Sequence, residues 1–222
     1  MDDFEDFTID EENFPLSDMN RIIEKYRYIP IIDAGIKING IAYEEGLKRN
    51  VYVKDALGKN FVGDVWPGET TFVDFFHPNA SNYWQDMLNI LYKKLAFDGV
   101  WLDMNELSNF CNGPCSTPTT PPTGFDYTND LPYHPGSVKI EDATISLNCT
   151  HYNGYEEADV HNFHAFLQTK ATYAFLQSKN LRPFIVSRSS TIGSSAYGNH
   201  WTGDNAATWE FLQSSIPNIF NS

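Results

Sequence analysis

Asp103 and Asp204 each close a short aromatic segment, Gly99-Val-Trp-Leu-Asp-Met-Asn-Glu106 and His200-Trp-Thr-Gly-Asp-Asn205. Arg188 closes an apolar one between them, Arg182-Pro-Phe-Ile-Val-Ser-Arg-Ser189. A buried strand that turns polar at its C-terminal end presents those polar side chains to a pocket. Two acids flanking an arginine suggest glycosidic chemistry, because retaining hydrolysis needs one carboxylate as nucleophile and a second, about 5 Å away, as acid and then base. Neighbouring strands sit about 4.8 Å apart, so Asp103 and Asp204, on strands flanking that of Arg188, would lean inward across about 10 Å. Asp103 is the expected nucleophile and Asp204 the expected acid/base, with Arg188 favouring the ionised form of whichever acid is nearer.

Bland alternatives stand beside each residue. A lone strand-end aspartate is as readily a helix cap or a surface ion pair. Asp33 closes a third apolar run, Tyr28-Ile-Pro-Ile-Ile-Asp33, and reads equally as a cap or a sugar-hydroxyl ligand; Ile31, two residues earlier, faces the same side. Trp66, in Val-Trp-Pro-Gly, suits the apolar face of a sugar ring or a core position pinning its loop. Asn105 and Glu106 read as supports for the nucleophile's loop. His161 and His164 lack the third ligand a metal site would need, and no cofactor is implied. A glycan-binding relative without catalysis and a metal-dependent hydrolase are the rival classes; retention of both acids and the tryptophans beside them argues against each.

Four strand ends, at Asp33, Asp103, Arg188 and Asp204, must be positioned by what lies between them. Helical spacing predicts helices over about 17–26, 81–95, 160–179 and 207–215. Alternating helices and apolar strands imply parallel strands with right-handed crossovers, an α/β fold. Two long loops, 36–78 and 107–157, leave the C-terminal strand ends, where a (β/α)8 barrel keeps its site. Four strands make half such a ring, roughly strands three to six, so residues 1–222 read as a piece of a larger catalytic domain.

Composition narrows the partners. The chain has 222 residues, 41% hydrophobic and 15% aromatic, enough for a sizeable core. Its net charge of −14 repels nucleic acid and anionic membrane surfaces, so a neutral partner is expected. No apolar run approaches the roughly 18 residues of a membrane span, and Met1-Asp-Asp-Phe-Glu is too acidic to start a signal peptide. Cys111 and Cys115 share a short loop, and a disulfide from that loop to Cys149 is the first expectation. Asn79-Ala-Ser81 and Asn148-Cys-Thr150 match the N-glycosylation pattern. Together these lean towards a secreted, lysosomal or vacuolar setting.

The motifs resemble glycoside hydrolase family 31. Trp-Leu-Asp-Met-Asn-Glu is similar to its nucleophile signature, His-Trp-Thr-Gly-Asp-Asn to its acid/base segment, Ser-Arg-Ser to its substrate-binding arginine and Val-Trp-Pro-Gly to its loop tryptophan. The likeness runs from Asp-Phe-Thr at 6–8 to Ser-Ile-Pro at 215–217. It implies a retaining, exo-acting α-glucosidase with Asp103 as nucleophile and Asp204 as acid/base, with an α-xylosidase or a glycoprotein-trimming glucosidase of the same family as the alternatives. Asp33, Ile31, Trp66, Trp101, Met104, Arg188 and Trp201 would line the glucose subsite. Two departures touch fine specificity: Asp33-Ala-Gly-Ile36 replaces the usual Asp-Pro-Ala-Ile, and His161-Asn-Phe-His-Ala165 replaces His-Asn-Leu-Tyr-Gly. The family also uses an acid before this segment and a histidine beyond it, so the segment alone is expected to be inactive and to need the rest of its own catalytic domain.

Overall fold

The computed structural model describes residues 4–113, 115 and 140–220. Four short strands pair in parallel: β1 (Ile31–Ile32) with β5 (Val100–Leu102), β5 with β6 (Ile185–Ser187), and β6 with β7 (Asn199–His200). Three of them end where the sequence reading expects, directly before Asp33, Asp103 and Arg188, whereas β7 ends at His200, so Asp204 lies in the segment beyond it rather than at a strand end. Helices α1 (Leu16–Ile23), α3 (Ala80–Lys94) and α5 (His164–Ser178) precede β1, β5 and β6, close to the expected spans, with the four-residue α4 (Glu157–Val160) just ahead of α5. The crossovers carry the packing: Tyr83, Trp84, Met87, Leu88 and Leu91 of α3 and Phe175 and Leu176 of α5 join Ile32, Val100, Leu102 and Ile185 in one buried core. Trp84 is fully buried, and its indole N–H donates to Thr172 Oγ1 at 2.9 Å, tying α3 to α5.

Strand alternation sorts the side chains. Val100 and Leu102 are buried under the helices, whereas Trp101 between them and Ile31 beside it are each 39% exposed on the opposite face. That is the period-two division of a strand. The register, Ile31 opposite Trp101 and Trp101 opposite Val186, makes that face one continuous surface.

The segment 36–78, expected as a long loop, carries its own structure. Strands β2 (Gly35–Lys37), β4 (Gly68–Phe72) and β3 (Gly63–Val65) form an antiparallel sheet in that order, with helix α2 (Ile41–Arg49) in the connection. Trp66 and Pro67 are the two-residue tip of the β3–β4 hairpin, and Gly68 leaves it at φ +88°, a left-handed conformation that suits glycine. The strands are only three to five residues long and start on glycines, too short for an alternating pattern to register. In the second loop, residues 116–139 lie outside the described residues, and its last part is pinned by Lys54 bridging Thr150 and by Ser108 bridging Thr144.

Cysteine pairing differs from expectation. Cys111 is bonded to Cys115, and Cys149 is a free, buried thiol. Cys149 packs with Val53, Phe61, Phe72, Leu107 and Ile145 in a second core cluster, where it acts as a small apolar side chain. The expectation weighted the loop-to-Cys149 bridge; the short loop closes on itself instead.

The same loop ends in a buried charge cluster. His151 is set between Asp74 Oδ1 (3.0 Å) and Glu157 Oε2 (2.6 Å), and Glu157 Oε1 also meets His161 Nδ1 at 2.6 Å. Burial pushes the His151 imidazole down, but its two carboxylate hydrogen bonds outweigh that and raise it to about 9. Burial pushes Glu157 up, and the two histidines outweigh it, leaving its carboxyl below the usual range. A raised histidine stabilises the fold fully below its unfolded value of about 6.5 and loses that contribution as pH climbs through 9. A depressed carboxylate contributes above its unfolded value and loses it on acidification. The cluster therefore holds best between about 4.5 and 6.5. Melting curves of full-length protein against its His151→Gln variant should differ most in that window and converge above pH 9; a gap that widens with rising pH would refute the imidazolium.

Helix α6 (Trp209–Phe220) runs past the expected end near 215 because it continues through Pro217, giving up one backbone hydrogen bond. None of its residues is buried, and Trp209, Ile216 and Phe220 are exposed.

Candidate active site

Sheet register builds the site as a row. Ile32 faces Leu102 and Leu102 faces Ser187, so the next residues, Asp33, Asp103 and Arg188, succeed one another across the C-terminal edge. Ser187 faces His200, which extends the row to Trp201. Backbone bonds hold it: the Asp103 N–H donates to Ile32 O (3.1 Å) and the Arg188 N–H to Leu102 O (3.0 Å). Parity puts these residues on the face of Ile31 and Trp101. Trp101 and Trp201 meet edge to face at 5.5 Å between ring centroids, an arrangement aromatic quadrupoles favour.

After Asp103 the chain turns sharply. Met104 and Leu107 both have φ of +57°, left-handed conformations that side chains rarely adopt and that surrounding contacts must hold. Asn105 supplies those contacts. It is fully buried; its Nδ2 donates to Gln168 Oε1 (3.0 Å) and Ser187 Oγ (2.7 Å), and its Oδ1 accepts from the Ser189 N–H (2.9 Å). One side chain thus joins the loop after Asp103 to helix α5 and to the end of β6. His164, fully buried beneath, lies 3.3 Å from Asn105 O and 3.1 Å from Val73 O, and burial lowers its imidazole to about 4.

Arg188 is held chiefly by Glu106. Its Nε meets both carboxylate oxygens at 3.0 and 3.1 Å, and its Nη2 donates to Glu106 Oε2 (2.9 Å), Ser108 Oγ (2.9 Å) and Met104 Sδ (3.0 Å). Only Nη1 turns to Asp103, 3.2 Å from Oδ1. Burial pushes Asp103 up, and the nearby guanidinium and the Met104 N–H only partly offset it, so its carboxyl stays above the usual range; Glu106 and Asp204 add to the rise. Glu106 is also pushed up by burial, but Arg188 outweighs that and keeps it below its ordinary value. Arg188 was expected to favour the ionised form of whichever of Asp103 and Asp204 is nearer. Asp103 is the nearer, and the guanidinium does favour its ionised form, but burial outweighs that; the tighter hold is on Glu106, where two oxygens match the planar fork.

Two cavities share the row. Ile31, Asp33, Trp66 and Trp101 line one of about 270 Å³, closed on one side by Phe4–Thr8. Glu106, Arg188, His200, Trp201 and Gly203 line another of about 450 Å³. The paired Trp101 and Trp201 stand between them. Asp103, with 15% of its side chain exposed, and the exposed Asp204 line neither, although Asp204 is near enough to act on Asp103 through charge. Trp66 is 56% exposed at its hairpin tip and meets Phe110 edge to face at 5.0 Å. Phe110 was missed in the sequence, as was Asp6, whose Oδ1 accepts the Asp33 N–H at 3.0 Å. Asp6 opens the Asp-Phe-Thr segment, the one signal that could have marked it. Among the described residues no group of His, Cys, Asp and Glu could hold a metal ion, and no helix is long and apolar enough to cross a membrane.

A parallel sheet fed by crossover helices, with acids and an arginine in a row at its C-terminal edge, is the layout of part of a (β/α)8 glycosidase barrel. The chain belongs to glycoside hydrolase family 31: the family model for the Glycosyl hydrolases family 31 TIM-barrel domain matches residues 1–222. It is 38% identical over 228 residues to a probable alpha-glucosidase of Oryza sativa subsp. japonica, covering 97% of this chain and 25% of that protein. It is 36% identical over 237 residues to the lysosomal alpha-glucosidase of Bos taurus, covering 99% of this chain and 24% of that protein. Among solved structures it resembles the glucosidase II alpha subunit with a TM-score of 0.75 at 30% identity, over 96% of this chain and 21% of that one. The chain spans about a quarter of the length of the curated relatives it matches.

Proposed function

We propose that this chain is the central part of the catalytic barrel of a retaining α-glucosidase that releases glucose from the non-reducing ends of maltose-like oligosaccharides. The observation that carries this reading is the row Asp33, Asp103, Arg188, Trp201, with aromatic rings on the same face. Asp103, poorly solvated, attacks the anomeric carbon and forms a glycosyl ester. Asp204, exposed four residues beyond the end of β7, gives its proton to the departing glycosidic oxygen. In the second step Asp204 takes a proton from water, the hydroxide attacks the same carbon, and the bond to Asp103 breaks. Two inversions leave the α configuration. Ile31, Trp66, Trp101, Met104 and Trp201 supply the apolar walls of the sugar site, and Asp33 and Arg188 its hydrogen bonds.

Full-length protein given maltose, isomaltose and a nitrophenyl α-xyloside should cleave maltose best, and on a nitrophenyl α-glucoside α-glucose should be the first sugar product seen by proton NMR. First-formed β-glucose would contradict retention, preference for the xyloside would make it an α-xylosidase, and binding without turnover would favour an inactive glycan-binding relative. The 222-residue segment alone should hydrolyse nothing. A compartment outside the cytosol, secreted, lysosomal or vacuolar, is supported by the Cys111–Cys115 bond. There Asn79, exposed at the start of α3, is a better glycan acceptor than the half-buried Asn148; peptide mapping that found the glycan on Asn148 alone would reverse that order.

A further inference from the structure

The guanidinium of Arg188 and the carboxylate proposed as nucleophile are an awkward pair. A planar fork that docked on Asp103 with two hydrogen bonds would tie up the oxygens that must attack carbon. The structure avoids this: Nε and Nη2 face Glu106, Ser108 and Met104, and Asp103 Oδ1, 3.2 Å from Nη1, takes no hydrogen bond among the described residues. We infer that Glu106 is a positioning residue that holds the Arg188 fork away from Asp103, leaving that carboxylate beside a positive charge yet free to act as a nucleophile. The inference rests on the glycosidase reading above and deepens it.

The loop is built for the task. Glu106 sits between the two left-handed residues Met104 and Leu107, while Asn105 anchors the turn from below, so the Glu106 carboxylate is aimed along the row at β6. Ser108 donates to Glu106 Oε2 at 3.1 Å and so fixes the second oxygen. The charged and titratable groups around Asp103 are Asp33 at the end of β1, Arg188 after β6, His200 and Asp204 at and after β7, and Glu106 on its own loop. Of these Glu106 is the one whose removal frees a cation next to the nucleophile. The freed fork should swing onto Asp103, hydrogen-bond both oxygens and favour the ionised, unreactive carboxylate.

The test is Glu106→Gln in full-length protein, with Glu106→Ala as the second variant should glutamine retain part of the grip. On maltose, kcat should fall at least about tenfold, KM should rise by less than that because Arg188 also hydrogen-bonds the sugar, and the acid limb of kcat/KM should move down by about one pH unit. A crystal structure of the variant should show two Arg188 to Asp103 contacts near about 2.9 Å in place of the single ion pair. An unmoved acid limb with Arg188 in its original place would overturn the inference, as would a rise in KM with kcat intact. The crystallographic readout needs no turnover, so it judges Glu106 even if wild-type protein cleaves no α-glucoside, an outcome that would sink the glycosidase reading alone.

Discussion

Replacing Asp103 by Asn in full-length protein is expected to lower kcat on maltose by about 10⁴-fold or more while leaving sugar binding within a few fold. The amide keeps the shape of the carboxylate and its place between Ile32 and Arg188, but cannot form the glycosyl ester. Removing the negative charge leaves the Nη1 side of Arg188 facing a neutral group at 3.2 Å. Glu106 still neutralises the guanidinium, so the fold should tolerate the change. Isothermal titration with a non-hydrolysed glucoside, alongside kcat, separates the outcomes. Equal loss of binding and turnover would mean that Asp103 serves as a structural ion pair, and undiminished turnover would remove it from the reaction.

The second large effect is on stability. Asn105→Leu keeps approximate size but leaves the fully buried Gln168 Oε1 without its donor and the half-buried Ser189 N–H without its acceptor. Each stranded group costs about 1–3 kcal/mol, so a total loss of about 2–6 kcal/mol is expected. Because the same side chain fixes the left-handed turn at Met104, kcat should fall as well, and the apparent melting temperature of full-length protein should drop by several degrees. A variant with wild-type melting and activity would show that the turn holds itself. Asn105→Asp is the informative companion: it keeps the acceptor for Ser189 and loses the donor to Gln168 and Ser187.

What sequence made legible, and what it hid, follows from the range of each interaction. Asp103 and Arg188 could be placed because a buried strand writes its own pattern, apolar to its last residue and polar at the end, and the parallel order follows from the intervening helices. The β3–β4 hairpin was hidden because its strands are three and five residues long, though Val-Trp-Pro-Gly holds its two-residue tip. Cys149 could not be assigned from spacing, since a buried thiol and a bridged one look alike in sequence. The Asp74–His151 contact joins residues 77 apart, with no local signature on either side. Glu106 was legible as a support for the loop but not as the holder of Arg188, 82 positions away. That contact depends on the left-handed turns at Met104 and Leu107, which residue types alone do not announce.

A 5-fluoro-α-glucosyl fluoride, which forms its ester quickly and loses it slowly, should trap the reacting carboxylate of full-length protein for peptide mass mapping. A single fluoroglucosyl adduct is expected on Asp103 and none on the Asp103→Asn variant. An adduct on Asp204 or Glu106, or turnover without any adduct, would remove Asp103 from the nucleophile's role.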